Sequence, residues 1–253
     1  SGHLGRIGYW AEIACARGFV SLHFVNVAQS MLVAPFGAAE RRISTAPVAI
    51  GIFNPEGDDF ILDFATSQVA EGKILVAARG GKPTPDGAII SGNGQPSSDP
   101  LELYGKLENG KVPDPRNGPG ALRAMGDHKG SGLALACELL AGALTGSGTT
   151  GPGRATHNGM LSIYLNPEIM DDGHGYGVAI NDYIEFVRSA YPADPTKPVM
   201  VPGDPERKAR SIRNAKGLPL SMGTWNSILE AGAELGLNRK ELSSMALISA
   251  FSS

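Results

Sequence analysis

The chain has 253 residues, a formal net charge of −3, 42% hydrophobic and 19% charged residues. That is ample apolar material for a packed core, and the charge balance offers no basic footprint for nucleic acid. No apolar run reaches the ~20 residues that span a bilayer, no signal peptide is visible, and two cysteines in apolar runs suit a reducing, cytoplasmic setting better than a disulfide framework.

Ser1 to Arg6 is a polar, glycine-bearing opening. Ile7, Trp10, Ala11, Ala14 and Cys15 then recur at helical spacing, so Ile7–Ala16 reads as a helix stopped by Gly18. Phe19–Val27 alternates as a strand does. Pro47–Phe53 is continuously apolar and reads as a strand buried on both faces. The turn at Asn54–Asp59 joins it to Phe60–Phe64 in a hairpin. A helix is expected from Ser67 to Ala78. Gly80–Met125 shows little periodicity beyond a helical hint at Leu101–Lys106, and a long irregular segment in a compact domain is usually functional or mobile.

The stretch Gly126-Asp127-His128-Lys129-Gly130-Ser131-Gly132 feeds the apolar run Leu133–Leu144. Its glycines let backbone approach a ligand closely. The first turn of the helix offers N–H groups and the positive dipole end to an anion such as a phosphate, and Lys129 adds a full charge. The run is apolar all round, so the helix is expected to be buried. Glu138, its only charge, then needs a partner or a cleft. A core helix entered by a flexible turn explains the same residues, and neither G-x-G-x-x-G nor G-x-x-x-x-G-K-[ST] occurs.

Gly146–Gly159 is a second glycine-rich loop. Met160–Leu165 reads as a strand, Tyr176–Ala190 as an amphipathic helix, and Val199–Val201 as a short strand. A charged helix opens at Asp204 or Pro205. Thr224 is the expected N-cap of Trp225–Leu235, and Asn238 that of a last short helix. Strands and helices intermingle without regular crossovers, so residues 1–253 read as a single α/β domain of α+β character, a mixed sheet with flanking helices. His23 reads as a core or edge residue and His157 as a loop residue. No H-x-x-H, H-E-x-x-H or C-x-x-C occurs, so no metal is expected.

Five segments in order carry a family likeness. Ser1-Gly2-His3-Leu4-Gly5-Arg6 resembles an S-x-H-x-G-x motif. Ala34-Pro35-Phe36-Gly37 with Thr45-Ala46-Pro47 resembles VPFGG…TNP, and Asp63-Phe64-Ala65-Thr66-Ser67 resembles DMATS. His128–Leu133 with Glu138–Gly142 resembles KGYGLAL…ELLSG, and Val201–Glu206 resembles PGEPE. Together they resemble the type II malate/L-lactate dehydrogenase family, which also includes sulfolactate and ureidoglycolate enzymes. The resemblance implies a non-Rossmann fold of the L-sulfolactate/malate dehydrogenase kind and a nicotinamide cofactor, NAD or NADP. It also implies a small 2-hydroxy/2-oxo acid substrate, a homodimer, and no nucleic-acid or membrane partner. Family members carry a helical lobe ahead of the S-x-H motif, with a histidine and an arginine used near the substrate, so this chain is expected to lack these, or to have them supplied separately. Ala46 departs from the asparagine of TNP.

Moving a hydride between such an acid and a nicotinamide needs a proton acceptor for the hydroxyl, a cation for the carboxylate, and donors for the pyrophosphate. By resemblance, His3 is the acid/base; a solvent-exposed terminal histidine is the plain alternative, with the proton donor then a histidine of the absent lobe. Asp63 either orients a histidine, binds cofactor, or caps the next helix. Phe64, Ala65, Thr66 and Ser67 belong to the expected cofactor segment, the hydroxyls of Thr66 and Ser67 donating to a cofactor phosphate or ribose, with N-capping as the plain alternative. Lys129 and Gly130 are expected cofactor contacts. Gly203, Asp204 and Pro205 are either a cofactor loop or a helix start. Arg6 and Thr45 are the expected substrate contacts, and Arg207 a weaker candidate for a carboxylate; a solvated surface explains both arginines. Reduction of a cyclic imine carboxylate is the nearest alternative chemistry, and a catalytically incomplete cofactor-binding fragment the alternative from another class.

Overall fold

The computed structural model describes residues 4–79, 83–107, 113–153, 155, 157–171, 173, 175–220 and 222–246. Backbone contacts divide the chain into two compact units, Ser1–Gly203 and Asp204–Ser253, where the sequence reading draws no boundary.

The first unit is built on β1 (Val20–Val27), β2 (Val48–Ile52), β3 (Phe60–Phe64) and β7 (Asn158–Leu165), in the order β3-β2-β1-β7. Every pairing is antiparallel. Val48 pairs with Phe64 in the expected hairpin, and Val20 with Leu165 at the far edge. Between β3 and β7 lies a smaller sheet of two-residue strands, β4 (Ile89–Ile90), β5 (Pro96–Ser97) and β6 (Ala121–Leu122), in the order β5-β4-β6. This sheet falls in the segment that shows no periodicity, because two residues are too few to display one.

Helix α1 (Gly8–Cys15) packs Ala11 and Cys15 against Val25, Ala49 and Ile61 of the larger sheet. The main core gathers Val48, α2 (Glu71–Ala78) through Ile74, and α3 (Leu101–Tyr104) through Leu103 and Tyr104. It also takes in Ile89 and Leu122 of the small sheet, with Ala134 and Cys137 of α4 (His128–Cys137). Burying one such large side chain contributes about 1.5–3 kcal/mol, so this cluster ties both sheets to the entrance of α4.

Beyond Cys137 the helix widens into a π-helical stretch, Glu138–Leu144. The expectation of burial all round is corrected here. Leu135, Leu139 and Leu144 are exposed, and only the face carrying Ala134, Cys137, Glu138 and Ala141 is enclosed. A uniformly apolar run shows that a helix meets apolar surface; it does not show on which sides. Helices α5 (Pro167–Met170) and α6 (Tyr176–Arg188) follow β7. Val199–Val201 is not a strand in the structure.

The second unit holds α7 (Asp204–Lys216), α8 (Met222–Glu234) and α9 (Arg239–Met245). Asp204 and Glu206 sit in the first turn of α7, Arg213 and Lys216 in its last, each complementing the macrodipole. Thr224 lies inside α8 rather than capping it, because the helix begins at Met222. Asn238 caps α9 as expected, accepting from the Lys240 amide at 2.9 Å.

Candidate functional site

A cleft of about 420 Å3 in the first unit is lined by Leu4, Gly5, Gln29, Thr45, Glu71 and Arg116, among others. That volume lies within the usual span of small-molecule sites. Leu4 and Gly5 belong to the S-x-H segment and Thr45 to the T-x-P segment, so two of the sequence motifs meet at this cleft. His3 itself lies outside the described residues.

Asp63 fixes the chain that follows His3. It is exposed on β3, and its Oδ2 accepts from the backbone N–H of Gly8 at 2.8 Å, the first residue of α1. A carboxylate at a helix N-terminus meets both a donor and the positive dipole end. Of the three sequence readings, capping is therefore seen, but of α1 and not of the helix that follows. Arg6 lies alongside: a Cβ added to Gly8 would come 2.7 Å from its Nη1 and 2.9 Å from Asp63 Oδ2. The Arg6 guanidinium bonds Glu12 at 2.6 Å, and Arg6 is not among the residues lining the cleft.

A run of backbone bonds leads from the cleft to the entrance of α4. The amide and hydroxyl of Thr66 both donate to Thr45 O at 3.0 Å, and Thr66 O accepts from Met125 N at 2.9 Å. The Ser67 hydroxyl donates to Val69 O at 2.8 Å. The protons that were expected to reach a phosphate or ribose are thus spent on main-chain carbonyls. Phe64 ends β3 opposite Val48, and Ala65 is half-buried beside it. Gly130 is buried against this run. A Cβ there would press into the Met125 carbonyl and lie 2.7 Å from Thr66 O.

The entrance of α4 corrects one expectation. The N–H groups of Lys129, Gly130 and Ser131 donate to Gly126 O, Met125 O and Asp127 O at 3.2, 2.9 and 3.1 Å. Gly126 and Asp127 both take positive φ, +53° and +52°, which turns the chain back so that its own carbonyls close the first turn. These three amides are not open to an anion. The Lys129 side chain is exposed and makes no ion pair with a described residue.

Behind the cleft, Glu138 is 5% exposed and has no cationic partner among its contacts. The Ser44 hydroxyl, the Asn26 amide and the Thr150 backbone N–H donate to it at 2.8, 3.1 and 2.8 Å, and the Thr150 hydroxyl lies 2.6 Å away. A buried carboxylate is tolerated when its lone pairs are filled this way. Ser44 in turn accepts from Ala46 N at 3.3 Å. Glu138 therefore fixes the strap Ser44-Thr45-Ala46 that walls the cleft. Ala46 has φ +30°, a region in which asparagine, the residue of the family's motif, is several-fold enriched.

Sequence reasoning passed over Arg41, Asp114 and Arg116. Arg41 donates to the carbonyls of Pro115, Gly118 and Leu103 at 2.7, 2.7 and 3.2 Å, and also to that of Gly120. This staples the loop that carries Arg116. Arg116 is held by Asp114 through Nε at 2.8 Å and Nη2 at 2.9 Å. No spacing signal in a Gly/Pro-rich stretch could have found either arginine.

His23 and the two cysteines are accounted for by packing. His23 is fully buried on β1, with Nδ1 2.8 Å from Ser162 Oγ and Nε2 3.0 Å from Ser21 Oγ, and burial lowers its pKa. Burial pushes the thiols of Cys15 and Cys137 up to about 12 and about 11, far from nucleophilic. Gly203 ends the first unit with φ +101°, and Asp204 and Pro205 open α7, where Asp204 pairs with Arg207 at 2.5 Å.

Residues 1–229 match the family model described as malate/L-lactate dehydrogenase. The chain is 37% identical over 250 residues to hydroxycarboxylate dehydrogenase B of Escherichia coli strain K12, covering 96% of this chain and 65% of that protein. It is 32% identical over 228 residues to Delta(1)-pyrroline-2-carboxylate reductase 2 of Burkholderia multivorans, covering 84% of this chain and 60% of the relative. The solved structure of a candidate malate/lactate dehydrogenase from Escherichia coli superposes with a TM-score of 0.84 at 35% identity, covering 96% of this chain and 66% of that one. The chain thus spans slightly less than two thirds of the length of these curated relatives, whose names cover hydroxy acid dehydrogenation and cyclic imine carboxylate reduction. By the extent of the family match and by its fold, this chain belongs to the malate/L-lactate dehydrogenase family.

Proposed function

We propose that the chain is an NAD(P)-dependent oxidoreductase that moves a hydride between a nicotinamide and a small 2-hydroxy/2-oxo acid. The observation that carries the reading is the convergence of two family segments on one cleft: Leu4 and Gly5, which follow His3 in sequence, and Thr45. Asp63 anchors the first of them through Gly8, and Glu138 anchors the second through Ser44.

A bound nicotinamide would supply the site that accepts or delivers the hydride. The donors present fit a dinucleotide through charge, at Lys129, and not through the amides of residues 129–131. In this reading His3 takes the proton from the substrate hydroxyl during oxidation and returns it to the oxo oxygen during reduction. Asp63 acts through the chain, holding the start of α1 and with it the segment that bears His3. Thr45 lies on the cleft wall. A homodimer is the proposed working form, since Ile163, Tyr164 and Leu165 of the outer strand β7 expose apolar surface.

Absorbance at 340 nm with NADH or NADPH and a panel of 2-oxo acids tests the reading. Turnover of at least one acid is expected, with His3→Ala lowering kcat by about a hundredfold or more and leaving cofactor affinity in place. Turnover of cyclic imines alone would move the assignment to the chemistry named for the Burkholderia relative. Saturable quenching of cofactor fluorescence without turnover of any acid or imine would reduce the chain to a binding fragment.

A further inference from the structure

We propose that Arg116 receives the carboxylate of the acid substrate, as the cation of the cleft walled by Thr45 and Gly5. The proposal rests on the oxidoreductase reading above and names the subsite that reading leaves open.

A small 2-oxo acid carries a permanent negative charge, and the site must offset it. Among the described residues lining this cleft, Arg116 is the one cation. Arg6, the expected carboxylate contact, is bonded to Glu12 at 2.6 Å and does not line it. The two other charged side chains of the lining are both occupied. Glu71 takes the hydroxyl of buried Tyr104, and Asp114 takes Arg116.

The Asp114–Arg116 pair is oriented for a second carboxylate. Asp114 engages Nε and one Nη2 proton. A guanidinium has five N–H donors, so both Nη1 protons and the outer Nη2 proton remain for a ligand. Their planar fork matches a carboxylate in bidentate fashion. The Asp114 carboxyl is held below its usual range mainly by its bond from Arg116, so the pair stays ionised at neutral pH.

The loop beneath the pair is rigid for a stated reason. Arg116 N donates to Asp114 Oδ1 at 2.9 Å, closing a tight turn. Arg41 holds the carbonyls of Pro115 and Gly118 at 2.7 Å. The side chain of Arg116 is 46% exposed, so an anion entering the cleft can reach it. A cation oriented before binding loses less entropy when the ligand arrives.

Arg116→Met and Arg116→Lys test this. With the best 2-oxo acid, Arg116→Met should raise its KM about tenfold or more, the scale of one charged hydrogen-bonding contact. The KM for the cofactor should stay within about twofold, and Arg116→Lys should recover part of the loss. Oxalate titrated by calorimetry at fixed ionic strength gives a reading independent of turnover. The unaltered chain should bind it, and Arg116→Met should lose about tenfold in affinity. If acids turn over but KM and oxalate affinity are unchanged in Arg116→Met, the subsite is overturned and the oxidoreductase reading stands. If oxalate binds through Arg116 while no acid turns over, the subsite stands and the reading of the reaction falls.

Discussion

Two loops of the first unit present an exposed cation, and they are built in opposite ways. At the entrance of α4, rigidity comes from backbone. Gly126 and Asp127 turn the chain on itself, the amides of residues 129–131 close on nearby carbonyls, and Gly130 lies against Met125 and Thr66. The cation there, Lys129, stands on a flexible stem with no ion pair among the described residues. At the Asp114–Arg116 turn, rigidity comes from side chains. Arg41 gathers four carbonyls of the neighbouring chain, and Asp114 grips the guanidinium itself. The first loop preorganises a helix; the second preorganises a charge. A loop rich in glycine beside a lysine thus need not be a phosphate cradle, and a loop without an obvious motif can hold the better-oriented anion partner.

Breaking the first loop should cost most. Gly130→Ala forces a Cβ into the Met125 carbonyl, with Met125 N and Thr66 O each at 2.7 Å. All three are main-chain atoms that cannot rotate away. Overpacking of this kind costs about 3 kcal/mol or more, to be read from denaturant unfolding. Gly132→Ala, two residues on in the same helix, meets nothing within 4 Å. It should be neutral or stabilise by about 0.5–1 kcal/mol through helix propensity. Equal effects at the two positions would show that backbone packing does not set the entrance. Next comes Arg41→Met, which keeps bulk but leaves four carbonyls without their donor. A loss of about 2 kcal/mol is expected, together with weaker binding of oxalate, because Arg116 loses its fixed platform. Loss of stability with unchanged oxalate affinity would uncouple the staple from the charge.

What the sequence revealed divides along the same line. Elements whose apolar periodicity is strong, α1, β1 and α6, are legible because their faces are decided by local spacing, and β2 and β3 because a short apolar run and a turn mark a hairpin. That β7 pairs with β1 across more than a hundred residues is not, since register between distant strands is fixed only by tertiary packing. The small sheet hides because its strands are two residues long. Motif likeness brought Thr45, Asp63, Thr66 and Gly130 forward; hydrogen bonds and close packing join Thr45, Thr66 and Gly130, while Asp63 is bonded to Gly8. Asp63 caps α1, and Thr66 fastens Thr45. Glu138 was identifiable as a charge in need of partners, but Asn26, Ser44 and Thr150 come from three other segments that nothing in the sequence joins. Arg116 reaches the cleft on a loop that Arg41, in another part of the chain, holds.

The smallest expected effect is also the sharpest on the comparison. Lys129→Ala removes a solvent-exposed charge that makes no ion pair with a described residue, so the melting temperature should not move. If a cofactor phosphate meets only this ammonium, and no amides beneath it, the loss in affinity should be modest, about threefold to tenfold. It should also depend on salt. Exposed charges are screened beyond about 10 Å at 0.1 M ionic strength, so the unaltered chain should lose NADH affinity as salt rises, and Lys129→Ala should lose less. Quenching of NADH fluorescence, titrated at low and high salt, reads both quantities. A loss far above tenfold would mean that the entrance opens its amides when the cofactor binds, and the contrast between the two loops would vanish. An unchanged affinity at both salt concentrations would remove Lys129 from the cofactor site, leaving Arg116 as the only one of the two cations with an anion to hold.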